Sequence, residues 1–257
     1  MKILCFIRQV LSIFDEKLKH GGMRNPFFRF KQFTVWHDRC AMKVGTDGVL
    51  LGAWVCLDNA RNVLDIGTGS GLISLMVAQR CPAQVTGIDI DADAVGQAYE
   101  NVSASPWSGR IRICKADVAN WEEGKLYDTI VSNPPFFQEQ VHCPDNQRNA
   151  ARHTESLTFE RLLDSAVRLM SEDGAFSVIL PAEAGEWFIT LAAERHLYLL
   201  RRTYVHSKPS VPPKRVLMTF VRTIQACGTT HLVLEEEPRK YSSEYLSLVR
   251  DFYLNLG

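Results

Sequence analysis

Apolar positions along the chain switch repeatedly between two periods. Val63 to Ile66 reads as a buried strand, and Gln84 to Ile90, Arg110 to Ala116, Tyr127 to Ser132 and Ala175 to Leu180 read as further strands in a parallel-sheet pattern. Between them, Gly71 to Arg80, Asp93 to Val102, Phe159 to Met170 and Glu183 to Arg195 repeat at helical spacing, and Asp91 stands where a helix N-cap belongs. Two further strand-like runs, Tyr198 to His206 and Arg215 to Arg222, flank Lys208-Pro209-Ser210-Val211-Pro212-Pro213-Lys214, which is too rich in proline for helix or central strand. The pattern predicts an α/β fold: a seven-stranded doubly wound sheet, mostly parallel, closed by a C-terminal antiparallel hairpin.

Length and composition narrow this picture only slightly. A chain of 257 residues holds one sizeable α/β domain. Its formal net charge is zero, so any surface for a polyanion has to arise by local segregation of charge. Cys5, Cys40, Cys56, Cys81, Cys114, Cys143 and Cys227 are scattered and form no Cys-x-x-Cys or Cys/His cluster. Reduced thiols in a cytoplasmic protein, with no disulfide framework and no metal, are the expectation. The apolar start from Ile3 to Ile7 is broken by Arg8 and followed by Asp15, Glu16 and Lys17, too short and too charged for a membrane span. Gly21-Gly22 separates this segment from the rest. Residues 1–22 read as an appended helix or as an initiation site placed too early, the second being preferred, and residues 23–257 as a single domain.

The candidate chemistry lies at strand ends. After Val63-Leu64-Asp65-Ile66 comes Gly67-Thr68-Gly69-Ser70-Gly71 and then a helix. Such a loop lets backbone amides and a helix start approach a nucleotide cofactor. A nicotinamide-binding fingerprint wants its third glycine one residue later, where this chain has Leu72. Asp89 closes the second strand, where an acid can take both hydroxyls of a ribose, and Ile90 beside it can pack on a ring; the competing role, a helix cap, falls to Asp91. Asp117, with Val118 after it, repeats the arrangement at the third strand and could accept from an adenine amino group.

The fourth strand ends in Asn133-Pro134-Pro135-Phe136. A side-chain amide oxygen, a main-chain carbonyl and a flat ring at one point suit a planar amino group held by two hydrogen bonds with its base stacked. The bland alternative is a strand-terminating turn with a core Phe.

In this order on successive strand ends, Asp65 to Gly71, Asp89, Asp117 and Asn133 to Phe136 resemble the motifs of class I S-adenosylmethionine-dependent methyltransferases, whose sheet is Rossmann-like. Phe30 to Val35, His37 to Trp54, Ser105-Pro106-Trp107 and Tyr241 to Tyr245 are similar to segments of the bacterial tRNA1(Val) adenine-N6 methyltransferase family, from about Phe28 to the C-terminus. That family commonly carries Tyr where this chain has Phe136, a change that keeps stacking and loses a hydroxyl.

The resemblance implies S-adenosylmethionine as cofactor and methylation of an adenine N6 in tRNA, most specifically position 37 beside the anticodon of tRNA(Val). It implies Asn133, Pro134, Pro135 and Phe136 as catalytic residues. Asp65, Gly67, Gly69, Gly71, Asp89, Ile90, Asp117, Val118 and Asn133 would hold the cofactor, joined near its methionine end by Lys43, Thr46 and Asp47. Thr46-Asp47-Gly48 reads equally well as the N-cap of a helix over Val49 to Cys56.

From Arg195 to Leu234 there is no Asp or Glu, while Arg195, Arg201, Arg202, Lys208, Lys214, Arg215 and Arg222 are present. Upstream, Arg24, Arg29, Lys31, Arg39 and Lys43 are interleaved with Phe27, Phe28, Phe30, Phe33 and Trp36. Rings mixed with cations suit single-stranded RNA, although each ring taken alone reads as core. Arg29, Lys31, Arg148, Arg152, Lys208, Lys214 and Arg215 are the candidate RNA contacts. The partner expected is tRNA, with no membrane and no obligate protein partner. The alternatives are a glutamine-N5 methyltransferase of release factors, a DNA adenine methyltransferase, and a module that binds S-adenosylmethionine or RNA without chemistry.

Overall fold

A computed structural model describes residues 25–135 and 157–254. Among the described residues, eight strands form the central sheet, in the order β10 (Gly228–Val233), β8 (Tyr198–His206), β9 (Arg215–Val221), β7 (Met170–Pro181), β6 (Tyr127–Ser132), β3 (Asn62–Ile66), β4 (Gln84–Asp89) and β5 (Ile111–Lys115). Strands β3, β4, β5, β6 and β7 run parallel. β9 is antiparallel to both β7 and β8, which makes the closing hairpin the sequence predicts. β10 adds an eighth strand, parallel to β8, at the edge. A ribbon of β1 (Phe27–Arg29) and β2 (Thr34–Trp36) and another of β11 (Glu235–Glu237) and β12 (Lys240–Tyr241) stand outside the sheet.

Helices cover both faces. On one side α1 (Thr46–Trp54), α2 (Leu72–Arg80), α3 (Ala92–Ser103) and α6 (Ser243–Val249) pack around Val49, Leu51, Leu75, Met76 and Val249. On the other, α4 (Phe159–Leu169) and α5 (Gly185–Ala193) pack around Leu162, Phe176, Phe188 and Phe220. α4 shows why: Phe159, Leu162, Leu163, Ala166 and Leu169 fall on one face at helical spacing, and all are buried. Caps fix the starts of these helices. Asp91 accepts from the Asp93 and Ala94 amides, Thr158 from Arg161 and Ser242 from Tyr245. Among the described residues, no helix is long and apolar enough to cross a membrane.

The topology directs all the parallel strands toward one edge. The carboxyl ends of β3, β4, β5, β6 and β7 meet there, and β9 begins there, because Pro181 pairs with Arg215. The loop carrying Lys208 and Lys214 therefore lies on the same edge as Asn133. The ribbon tip lies at the other edge. Phe33 packs edge-on against Trp107, ahead of β5, and the Lys31 amide and ammonium bond to the Phe252 and Arg250 carbonyls, next to the end of α2.

Gly87 in β4 has no room for a side chain. A Cβ there would lie 2.8 Å from the Thr68 hydroxyl, 2.8 Å from Ile113 Cδ1 and 3.0 Å from the Ser74 hydroxyl. Gly87→Ala is expected to lower stability by about 1–3 kcal/mol through overpacking, read as a lower urea midpoint with unchanged slope. An unchanged midpoint would show that the loop above it yields freely.

Candidate active site

The glycine loop is shaped by one buried carboxylate. Asp65 is wholly buried at the end of β3, and its Oδ2 accepts from the Thr68 hydroxyl at 2.7 Å, the Ser74 hydroxyl at 2.7 Å and the Ser74 amide at 3.1 Å. Gly67, Gly69 and Gly71 all adopt positive φ, and nothing lies within 4 Å of a Cβ built on Gly67 or Gly69. The backbone there is bare toward open space, as a cradle for a ligand must be. Gly71 serves a different need: a Cβ on it would meet Ala98 at 3.3 Å, so it lets α2 and α3 approach.

A cleft of about 470 Å³ opens at this edge, lined by Gly67, Gly69, Asp89, Ile90, Asp117, Val118, Asn133 and Pro135 among others. Asp89 accepts from the Gly69 amide at 2.8 Å and the Asp91 amide at 3.0 Å, which locks the carboxylate against the loop. Ile90 is 54% exposed, an apolar side chain held out at the cleft wall. Asp117 caps a short 3-10 turn through the Ala119 amide and forms an ion pair with Arg161 at 3.1 Å. At the far wall Asn133 is half-buried, Pro134 buried and Pro135 exposed. A Cβ on Gly48 of α1 would come 3.9 Å from the Asn133 amide nitrogen, so the start of α1 runs beside this side chain.

The segment from Asp38 to Lys43 borders the cleft, contributing Cys40, Ala41 and Met42 to its lining. It is held at both ends. His37 Nδ1 accepts from the Val44 amide at 3.4 Å, and its Nε2 lies 3.1 Å from the Asn25 carbonyl. Asn101 of α3 bonds both main-chain groups of Trp36 and also the Ser70 carbonyl of the glycine loop. Burial, with Asp89 and Asp91 adding to it, pushes the Cys40 thiol up to about 11. It is a neutral lining group at physiological pH, not a nucleophile.

Not every expected residue meets the cleft. Asp65 and Gly71 shape the loop from behind, and Lys43, Thr46 and Asp47 do not line the cleft. Lys43 and Thr46 are exposed, while Asp47 pairs with Arg215 at 2.8 Å, so a residue expected on the cofactor and one expected on RNA hold each other. The cap of α1 is Gly45 with no side-chain bond, in place of Thr46 or Asp47. Phe136, Arg148 and Arg152 lie outside the described residues. Arg29 and Lys31 are exposed on the ribbon but belong to the edge opposite the cleft, because Lys31 bonds to the Arg250 and Phe252 carbonyls beside the end of α2.

The rings of the ribbon pack on one another: Phe30 stacks on Phe33 and Tyr253, and Phe27 lies tilted against Trp36. Burying them outweighs presenting them to a base. The acid-free run is also less basic than it reads, since Arg195 pairs with Asp164 and Arg202 with Glu186, and Arg201 lies over the Trp54 ring. Lys208 and Lys214 remain exposed at the cleft edge. Arg161 and Leu157, both lining the cleft, carried no motif that would have singled them out.

This fold and cleft define a class I S-adenosylmethionine-dependent methyltransferase. The family model for the methyltransferase small domain matches residues 45–186. In overall shape the chain is similar to the crystal structure of a predicted O-methyltransferase, protein Atu636 from Agrobacterium tumefaciens. The TM-score is 0.63 at 21% identity, covering 80% of this chain and 96% of that one. Among curated proteins, a tRNA1(Val) (adenine(37)-N6)-methyltransferase of Phocaeicola vulgatus is 53% identical over 91% of this chain and 100% of its own length. One from Yersinia enterocolitica is 46% identical over 93% of this chain and 98% of its own length. The chain belongs to the tRNA1(Val) (adenine(37)-N6)-methyltransferase family.

Burial raises the Asp65 carboxyl to about 6, against the bonds from Thr68 and Ser74 that lower it. Between the unfolded aspartate value, about 4, and about 6, the folded protein binds more protons than the unfolded chain. Stability from this group therefore falls as pH rises through that window and is level above it. Asp65→Asn keeps an acceptor for Thr68 and Ser74 and removes the charge. Relative to wild type it is expected to gain stability on the order of 2 kcal/mol between about pH 4 and pH 7, measured by urea unfolding, while binding S-adenosylmethionine more weakly. Parallel pH profiles for the two proteins would contradict this.

Proposed function

We infer that the protein transfers a methyl group from S-adenosylmethionine to N6 of adenine 37 in tRNA1(Val). The observation that carries the reading is the meeting of Asn133 and Pro135 with Gly67, Gly69, Asp89 and Asp117 around one cleft, in a chain of this family. Residues 23–257 are the catalytic unit, acting in the cytoplasm.

The residues present fit the cofactor. Bare glycine backbone, a carboxylate at the end of β4, an exposed isoleucine beside it and the Asp117 carboxylate suit an adenosine. Asp65 leaves Oδ1 buried and without a hydrogen-bond partner, a spare acceptor behind the same loop. Bound there, S-adenosylmethionine supplies a methyl group already activated on a sulfonium.

What is left to the chain is to present the nucleophile. An exocyclic adenine nitrogen is weakly nucleophilic because its lone pair is delocalised into the ring. The Asn133 side-chain oxygen and the Pro134 carbonyl accept hydrogen bonds from its two N–H groups, which favours tetrahedral nitrogen as the new bond forms, and the surplus proton then leaves to solvent. Proline at 135 leaves the Pro134 carbonyl without a competing amide donor on the next residue. Phe136 stacks on the base. The target lies in an anticodon loop, so it turns into the cleft without leaving a duplex. Lys208 and Lys214 meet the RNA backbone at the cleft edge.

The test is methyl transfer from labelled S-adenosylmethionine to unmodified tRNA, with release factor and DNA in parallel, followed by nucleoside analysis. N6-methyladenosine in tRNA alone is expected; label in release factor would move the reading to glutamine. Asn133→Ala is expected to lower the transfer rate by at least about a hundredfold while leaving the cofactor Kd within a few-fold. Equal loss of both would make Asn133 structural.

A further inference from the structure

Outside the cleft, β8 and β10 build a cluster with chemistry of its own. Arg202, Tyr204 and His206 alternate onto one face of β8, and the parallel register sets His231 beside Tyr204. The Tyr204 and His231 rings stack, with centroids 5.5 Å apart, and the His231 and His206 rings are 5.2 Å apart. His206 Nε2 lies 2.9 Å from His231 Nδ1, and His206 Nδ1 lies 2.8 Å from the Val211 carbonyl.

These distances order the protons. A carbonyl only accepts, so His206 Nδ1 carries hydrogen. In the neutral pair His206 Nε2 is then an acceptor, the bridging hydrogen belongs to His231 Nδ1, and His231 Nε2 has a lone pair and no hydrogen. A single added proton makes His231 Nε2 a donor on a cationic pair, with the bridge between the rings preserved. His231 is exposed, so this atom's ring faces solvent.

The surrounding charges are mixed: one carboxylate is neutralised by an ion pair, another is held by a backbone amide, and two lysines stand exposed. Glu186 of α5 is paired with Arg202 at 2.7 Å and takes a further bond from the Tyr204 hydroxyl at 3.3 Å. Glu235, whose amide bonds to the Ser207 carbonyl, has its carboxylate engaged by the Arg239 amide at 2.7 Å. Lys208 and Lys214, just past the end of β8, are exposed. β8 is the third strand from β6 in the sheet order, roughly 14 Å away at ~4.8 Å per strand, and ends on the edge that carries Asn133. That separation suits a neighbouring stretch of the RNA that delivers the target base, not the base itself.

We propose that His206 and His231 form a proton-linked site for a backbone phosphate of the bound tRNA. The site rests on the functional reading above. The phosphate oxygen accepts from His231 Nε2–H, Tyr204 supports the imidazolium by stacking, and binding takes up one proton from solvent. Because binding takes up a proton, affinity for tRNA rises as pH falls.

The experiment is a fluorescence-anisotropy titration of unmodified tRNA with the full-length protein, His231→Gln and His231→Phe, at about pH 6 and pH 8 and over a series of salt concentrations. Cofactor affinity is measured alongside. The phenylalanine variant keeps a ring against Tyr204 and removes the nitrogens. Wild type is expected to bind at least about fivefold tighter at the lower pH through proton linkage. Both variants should lose most of that difference and show a salt slope lower by about one, with cofactor affinity unchanged. Retention of the wild-type pH dependence in either variant overturns the proposal. Absence of tRNA binding by wild type at both pH values would overturn the functional reading instead.

Discussion

Asp65 enters the fold with its carboxylate removed from water, and three donors converge on one of its oxygens. That arrangement ties the end of β3 to Thr68 in the turn and to Ser74 in α2, so strand, loop and helix become one rigid corner. Gly87 in the neighbouring strand leaves space for the two hydroxyls, and Asp89, one pleat further on, fastens the loop from the other side through the Gly69 amide. The charge is costly to bury, as the raised carboxyl shows. The loop geometry is what offsets it.

From that corner the parallel topology does the rest. Four of the strands that end at the cleft edge each contribute one element: Gly67 after β3, Asp89 at the end of β4, Asp117 after β5 and Asn133 after β6. The residues proposed to hold the cofactor and those proposed to take an amino nitrogen thus line one volume although they come from separate parts of the sequence. The reversal of β9 brings Lys208 and Lys214 to the same edge, and β10 extends it. On the proposed function, the surface that meets the polyanion continues the surface that does the chemistry.

Much of this was legible because it is local. Buried parallel strands read as apolar runs, Asp91 capped the helix assigned to it, and Asn133-Pro134-Pro135 ended a strand as its prolines require. What escaped is long-range. Asp47 and Arg215 are far apart in sequence, so nothing nearby signalled that each neutralises the other. Arg202 looked unpaired until α5 delivered Glu186. Phe30 and Phe33 carry the same letters whether they stack on bases or on each other, and only the ribbon's fold against Tyr253 decides. Gly228 to Val233 has one buried residue, Leu232, and so shows neither strand alternation nor an apolar run.

The central claim is that the amide at the end of β6 takes the amino group of an adenine delivered by tRNA. A crystal structure of the protein with S-adenosylhomocysteine and an unmodified anticodon stem-loop tests it most directly. The N6 nitrogen of adenine 37 is expected at hydrogen-bond distance, about 3 Å, from both the Asn133 side-chain oxygen and the Pro134 carbonyl. A loop bound with that adenine still stacked on its neighbours, and Asn133 engaged elsewhere, would contradict it.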